Sequence, residues 1–401
     1  MTQGFVIVPT MDFRLLTLLC VGNLVVGSSA FAITGIIGVI AADLAVTPAA
    51  VGQAMTAYAL STAVLAPMVL LATGAWARRQ ALLLALALLV LGNVMCALAP
   101  SLWWLLAGRV VLGLGSMFTP LAAGVAVASV PEAQRGKALA TVFLGFSLSY
   151  VTGVPLGAWI GLAHGWHAAM WVVAAACALV LLVAAWRLPR HVSAPGASFA
   201  GIASILRNRA VLVVLATTLG YFSAIFTMFS YIGPVLTALV PMSSTVLSIT
   251  LAMFGVSGVV GTVVGGLGND RFGARRTLSL GLPALALAML LLPFTAGSWP
   301  AMLAVLLGWG VAGFSLMTPQ QSRLATLAPA QAPLLLSLNA SMLYFGTALG
   351  AAVGGMALPS LGPAHLPWAA VPFALFCCLL LWARVPPLRA TSTAGTETHA
   401  P

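Results

Sequence analysis

Acid side chains are almost missing from this sequence. The 401 residues hold five, Asp12, Asp43, Glu132, Asp270 and Glu397. Each falls at a helix end, in a loop or in a tail of the segmentation given below. No carboxylate therefore lies at mid-membrane depth, where proton relays of pumps and transporters usually place one. Charge of either sign is scarce: 5% of residues are charged, against about 25% in soluble proteins, which excludes a soluble globule. No polar stretch is long enough for a separate soluble domain. Cysteine is sparse and unclustered. Cys20, Cys96, Cys177, Cys377 and Cys378 all sit inside apolar runs, so they read as small buried hydrophobes and not as a disulfide framework or metal site. No metal and no cofactor is expected. The first apolar run, about 13–40, is too long for a signal-peptide core and lacks a convincing cleavage site, so it is expected to stay as the first span.

What is abundant is hydrocarbon. Hydrophobic residues make up 62% of the chain, and its mean hydropathy is +1.12. Apolar runs of 18 or more residues, enough to span about 30 Å of bilayer, recur along the whole length. They predict an all-α integral membrane protein with twelve transmembrane helices in two six-helix bundles. The predicted spans are about 13–40, 49–72, 80–99, 101–129, 136–163 and 167–187, then 209–239, 245–268, 275–295, 299–326, 333–358 and 364–386. The expected organisation is a first bundle over 1–187, a cytoplasmic linker over 188–208, a second bundle over 209–386 and a disordered tail over 387–401.

The net charge of +11 is spread in small groups between apolar runs, which points to membrane topology and away from nucleic acid. Fifteen of the 16 basic residues fall on one side of the alternating path, Arg109 being the exception. Positive loops stay in the cytoplasm during insertion. Both termini are thus expected there, in a multi-pass inner-membrane protein whose partners are lipid and a small-molecule substrate, acting as a monomer.

The halves repeat. Arg78-Arg79 recurs as Arg275-Arg276, 197 residues later, and Gly113, Gly153 and Gly157 recur at the same offset as Gly310, Gly350 and Gly354. Two parallel six-span halves are the mark of transporters that rock one bundle against the other.

Four motifs carry mechanism. The loop after span 8 reads Gly265-Gly266-Leu267-Gly268-Asn269-Asp270-Arg271-Phe272-Gly273-Ala274-Arg275-Arg276, and it resembles the loop signature of the major facilitator superfamily. The first-half copy, Thr73-Gly74-Ala75-Trp76-Ala77-Arg78-Arg79, lacks the acid and resembles the arabinose-efflux-permease-like branch. Arg78, Arg79, Gly266, Asp270, Arg271, Gly273, Arg275 and Arg276 are the expected cytoplasmic gate, with charge pairs latching the two halves. In span 5, Gly153-Val154-Pro155-Leu156-Gly157 resembles the antiporter signature of twelve-span drug and sugar exporters, the drug:proton antiporter family 1. Its glycines suit close helix packing, and Pro155 removes a backbone donor and favours a bend.

Arg109 in span 4 lies about 12 Å into its helix, eight residues after Ser101. In the resembling family an arginine here is associated with proton coupling. The residues alone leave two readings, a direct role in the cavity, or a side chain that snorkels outward or bonds backbone carbonyls of span 1. Span 1 departs from the family: Ala30 stands where these exporters commonly carry a glutamate, and Ser28 and Ser29 stand where threonines usually precede it.

Polar and aromatic residues at depth give the candidate substrate cavity: Asn23, Ser29, Tyr58, Arg109, Tyr150, Tyr221, Phe226, Gln320, Asn339 and Tyr344. Apolar walls with few placed polar groups describe a small-molecule pocket, and without acids at depth a cation finds no counter-charge. Neutral or weakly anionic amphipathic solutes fit better. The resemblance implies a secondary exporter of drugs, sugars or metabolites, working by alternating access as an antiporter. The missing proton-binding group supports a facilitator instead. An enzyme would need a catalytic constellation at depth, and the sequence has none. A nontransporting receptor of the same fold would bind its ligand without flux.

Overall fold

A computed structural model describes residues 13–131, 134–188, 208–327 and 331–382. The linker, the tail and the residues Asp12, Glu132, Arg190, Arg207, Arg384, Arg389 and Glu397 lie outside the described residues, wholly or nearly so for the linker.

The described chain is helical throughout, and eleven of its segments are long and apolar enough to cross a membrane. The last of these, Leu334–Trp382, has 49 residues. Straight, it would run roughly 70 Å, more than twice the hydrocarbon thickness. It is broken at Gly362, whose φ of 71° is open to glycine at no steric penalty. The segment is therefore two spans, and the described residues hold twelve. Span 11 extends past its expected end at 358, and span 12 opens with the tight turn Leu366–Ala370 before Val371–Trp382.

Local chemistry sets the ends. Thr47 accepts from the Ala50 amide at 3.2 Å and Pro48 fills the first turn, so span 2 starts there. Asn208 caps span 7 and Ser243 caps span 8 in the same manner. Gly273, with φ of 81°, ends span 8 (Ser244–Phe272) and lets span 9 (Ala274–Leu291) begin one residue later.

Spans 1, 4, 7 and 10 are each split in two. Span 1 is Phe13–Phe31 and Ile37–Asp43, and span 4 is Leu102–Gly115 and Phe118–Ala128. Span 7 is Arg209–Phe229 and Ile232–Leu239, and span 10 is Trp299–Ser315 and Met317–Leu327. Spans 2 and 5 each carry one widened π turn, Ser61–Leu65 and Ser149–Gly153. Each precedes a proline by two residues, Pro67 and Pro155. The missing proline amide frees a carbonyl one turn back, and the wider turn absorbs the mismatch. The bend expected at Pro155 takes this form.

Spans 1–6 pack together and spans 7–12 pack together, and the repeat holds in space. A Cβ on Gly113 would strike Ser61 of span 2, and one on Gly310 would strike Ser257 of span 8. Gly153 and Gly157 of span 5 lie against Ser28 and Ala32 of span 1, while Gly350 and Gly354 of span 11 lie against Ser223 and Thr227 of span 7. The span 5 glycines therefore fasten span 5 to span 1 within one bundle. Each bundle also has a polar node. Asn23 donates to the Val142 carbonyl and accepts from Thr119, joining spans 1, 5 and 4. Gln320 donates to Thr218 at 3.1 Å, and Thr218 donates to Asn339 at 2.6 Å, joining spans 10, 7 and 11.

Candidate functional site between the bundles

Among the described residues, the main contacts between the bundles lie at one end and reach to mid-span. Away from the arginine loops, the Gly233 amide at the span 7 break donates to the Thr34 carbonyl at the span 1 break, at 3.3 Å. Gly35 lies against Leu251, Gly52 against Tyr231, Gly255 against the Tyr150 carbonyl, and Gly355 against Gln53. This glycine seam joins spans 1, 2 and 5 to spans 7, 8 and 11, backbone to backbone at Gly233 and Gly255 and through the Tyr231 and Gln53 side chains at Gly52 and Gly355. At the arginine end, the packed helix pairs Arg78–Ala97, Ala274–Leu291 and Met317–Leu327 stay within their own bundles. The expected gate residues Asp270, Arg271, Arg275 and Arg276 are exposed. Among the described residues Asp270 forms no ion pair, and Asn269 approaches it at 3.4 Å. Arg79 donates to the Ala185 carbonyl of its own bundle, and Arg78 is buried.

Just inside the seam lies an aromatic wall built by both halves. Phe31 stacks on Tyr150 with centroids 4.8 Å apart and meets Phe226 at 5.9 Å and Phe229 at 5.8 Å. Tyr150 meets Phe314 edge-on at 5.0 Å, and Phe254 stacks on Trp309 at 4.6 Å. The Trp309 indole N–H is buried with no partner among the described residues. It is a donor left unsatisfied in an apolar wall, a costly condition for a buried polar group.

Tyr58 of span 2 and Tyr344 of span 11 bridge the bundles, with centroids 6.5 Å apart. The Tyr58 hydroxyl shares a hydrogen bond with Ser116 at 2.7 Å. Tyr150 belongs to the same neighbourhood, so three tyrosines gather where the bundles meet.

Arg109 stands behind Tyr58, its guanidinium 5.0 Å from the ring centroid. It is 1% exposed. It donates to the carbonyls of Ser29 at 2.7 Å, of Ala30 at 2.5 Å and of Ala54 at 3.3 Å. The first two close the helix Phe13–Phe31, and the turn that follows takes a Thr34 to Phe31 bond in place of the helical one to Ala30. The arginine thus caps the C-terminus of a broken helix, where orphan carbonyls and the helix dipole favour a cation. Of the two readings of Arg109, the geometry has the one with span 1 carbonyls.

The other sequence candidates divide. Tyr58, Tyr150, Tyr344 and Phe226 come together at the bundle interface. Tyr221 lies against Phe222 with centroids 4.7 Å apart. Asn23, Gln320 and Asn339 belong to the polar nodes inside single bundles. Ser29 turns inward too, its hydroxyl accepting from Asn93 at 2.8 Å and lying 3.4 Å from the Cys177 sulfur. The sequence reading missed Phe31, Phe229, Phe254, Trp309 and the glycine seam. The recurrence of Gly35 as Gly233, 198 residues later, is the signal that was available for the last.

A family model described as Major Facilitator Superfamily matches residues 19–267 and 230–401. Over 371 residues, covering 91% of this chain and 95% of the relative, the sequence is 30% identical to the MFS-type transporter YbcL of Bacillus subtilis (strain 168). It is 31% identical over 351 residues, 87% of this chain and 90% of the relative, to the inner membrane transport protein YdhP of Escherichia coli (strain K12). Among solved structures, a bacterial homologue of the human lysosomal transporter Spinster, inward-facing and unoccupied, superposes with a TM-score of 0.78 at 16% identity, covering 92% of this chain and 96% of that one. The D-xylose-proton symporter gives 0.75 at 16% identity, covering 94% and 99%.

Proposed function

Because the chain belongs to the major facilitator superfamily, and is thus a membrane transporter, we propose that it exports small, neutral, amphipathic solutes across the inner membrane by alternating access. In this reading the arginine end faces the cytoplasm, and the conformation described is open inward. The observation that carries it is the pairing of a glycine seam at one end with described helices whose main packing stays within their own bundles at the other. Between them stand an aromatic wall, three tyrosines and the unsatisfied Trp309 donor. Stacking surface plus neutral donors suits a solute with a flat apolar face and hydroxyl or carbonyl groups, and no carboxylate is present to hold a cation. Export is supported by the Gly153–Gly157 motif, and the gate roles of Asp270 and its arginines belong to the state in which the inner ends meet.

Coupling has a second reading. Antiport follows from the resemblance alone, whereas the Arg109 environment favours a facilitator, because backbone carbonyls balance its charge and, among the described residues, no carboxylate or histidine shares the site. Flux of labelled candidate solutes from proteoliposomes, with and without an imposed pH gradient, tests both. Solute movement that ignores the gradient supports the facilitator, and accumulation driven by the gradient supports antiport. Tight binding with no flux in either condition would remove the transport reading.

A further inference from the structure

The pseudo-symmetry of the halves exposes a place where they differ. The 197-residue offset carries Arg78 and Arg79 onto Arg275 and Arg276, and Ala184 and Ala185 onto Leu381 and Trp382. In the first half this corner, between spans 3 and 6, is closed by the protein itself. Arg78 is buried, and Arg79 turns in to donate to the Ala185 carbonyl. In the second half the equivalent corner, between spans 9 and 12, is open. A groove of about 240 Å³ is lined by Arg275, Arg276, Ser279, Leu381 and Trp382. Both arginines are exposed, and their side chains make no hydrogen bond or ion pair among the described residues. Arg275 also feels the charge of Arg323, so the cations repel one another. Asp270, the acid of this loop, is exposed and pairs with neither.

We propose that this groove binds the phosphate headgroup of an anionic membrane phospholipid. Two unpartnered guanidiniums present forked donors that match phosphate oxygens, and a bound anion relieves the repulsion from Arg323. The rest of the lining is apolar. Trp382 is 76% exposed at the end of span 12, where an amphipathic ring sits at headgroup level. Leu280 and Leu379, at 73% and 71% exposure, continue the apolar surface along spans 9 and 12 toward the membrane interior, as an acyl chain requires. A free phosphate would use the arginines and leave that surface idle. Basic side chains near the surface favour anionic lipid and are screened by salt, so the pair gives a preference on the order of tenfold.

The test uses the full chain in mixed micelles with phosphatidylglycerol or phosphatidylcholine brominated on the acyl chains, which quench nearby indoles. Subtracting the signal of Trp382→Phe isolates Trp382. The expected result is half-quenching at about a tenfold lower mole fraction of brominated phosphatidylglycerol, with the preference lost in Arg275→Gln/Arg276→Gln and retained in Arg276→Lys. Equal quenching by the two lipids, or a preference that survives the double substitution, overturns the proposal. So does loss of the preference in millimolar inorganic phosphate, which assigns the groove to a free anion. Native mass spectrometry of co-purified lipid gives a readout independent of Trp382→Phe. Phosphatidylglycerol retained by the wild type and lost from the arginine double variant supports the site, and equal retention counts against it.

Discussion

Arg109 and Ser29 are joined by a 2.7 Å hydrogen bond from guanidinium to backbone carbonyl, across the junction of spans 4 and 1. With the Ala30 and Ala54 carbonyls, this bond balances a cation that a bilayer would otherwise penalise heavily. It also fixes where the first helix of span 1 stops, and so where the Thr34 carbonyl stands to meet Gly233.

Arg109→Ala leaves the Ser29 and Ala30 carbonyls buried without their donors, at about 1–3 kcal/mol each. Arg109→Lys keeps the charge but loses the planar fork that reaches three acceptors. Both variants are expected to insert, to melt at a lower temperature and to lose at least about tenfold in flux. Melting by fluorescence-detected size exclusion alongside vesicle flux checks this. A lysine variant with wild-type flux would show that charge alone suffices.

Tyr58→Phe removes a hydroxyl at the meeting point of the bundles and leaves the ring over Arg109. The loss of about 1 kcal/mol should raise KM roughly 3- to 10-fold with little change in melting. Concentration-dependent flux in vesicles separates KM from maximal rate. An unchanged KM would place the solute elsewhere.

Gly255→Leu puts a side chain where a Cβ already meets the Tyr150 carbonyl at less than van der Waals distance. The seam cannot close over it, so the population should shift toward the state open at that end. Thiol labelling of a cysteine introduced at the seam is expected to accelerate several-fold. Labelling as slow as in the parent protein argues against the seam as a gate.

Asp270→Asn separates latch from scaffold. The carboxylate is exposed and its close side-chain contact is Asn269, so melting should stay within about 1 °C, as for a typical surface substitution. Flux should fall if the acid pairs with arginines once the inner ends meet. A variant that transports normally returns Asp270 to an ordinary loop residue.

Much of this was legible in the sequence. Span length and basic-loop alternation are bilayer constraints written in composition, so the twelve spans emerge from counting. The duplication is visible because Arg78-Arg79 and Arg275-Arg276 survive in register. Arg109 was legible as a buried cation lacking an acid, which forces carbonyl partners or water. The inward turn of Ser29 was not, because a serine in an apolar helix carries no mark of which neighbour it faces, and Asn93 and Cys177 are 64 and 148 residues away. The seam was hidden for a similar reason. With 40 glycines in the chain, those that meet across the bundles differ from those that pack within one only through contacts distant in sequence. The splits in spans 1 and 7 fall at Thr34 and Tyr231 without a preceding proline, so periodicity runs through them.

The glycine seam has an implication for how such a carrier diversifies. At Gly233 and Gly255 its closure joins main-chain atoms, whose geometry is nearly indifferent to which side chains stand a turn away. Residues of the aromatic wall can then be exchanged to suit new cargo while the moving parts keep their fit, so one scaffold serves many solutes without being retuned for each.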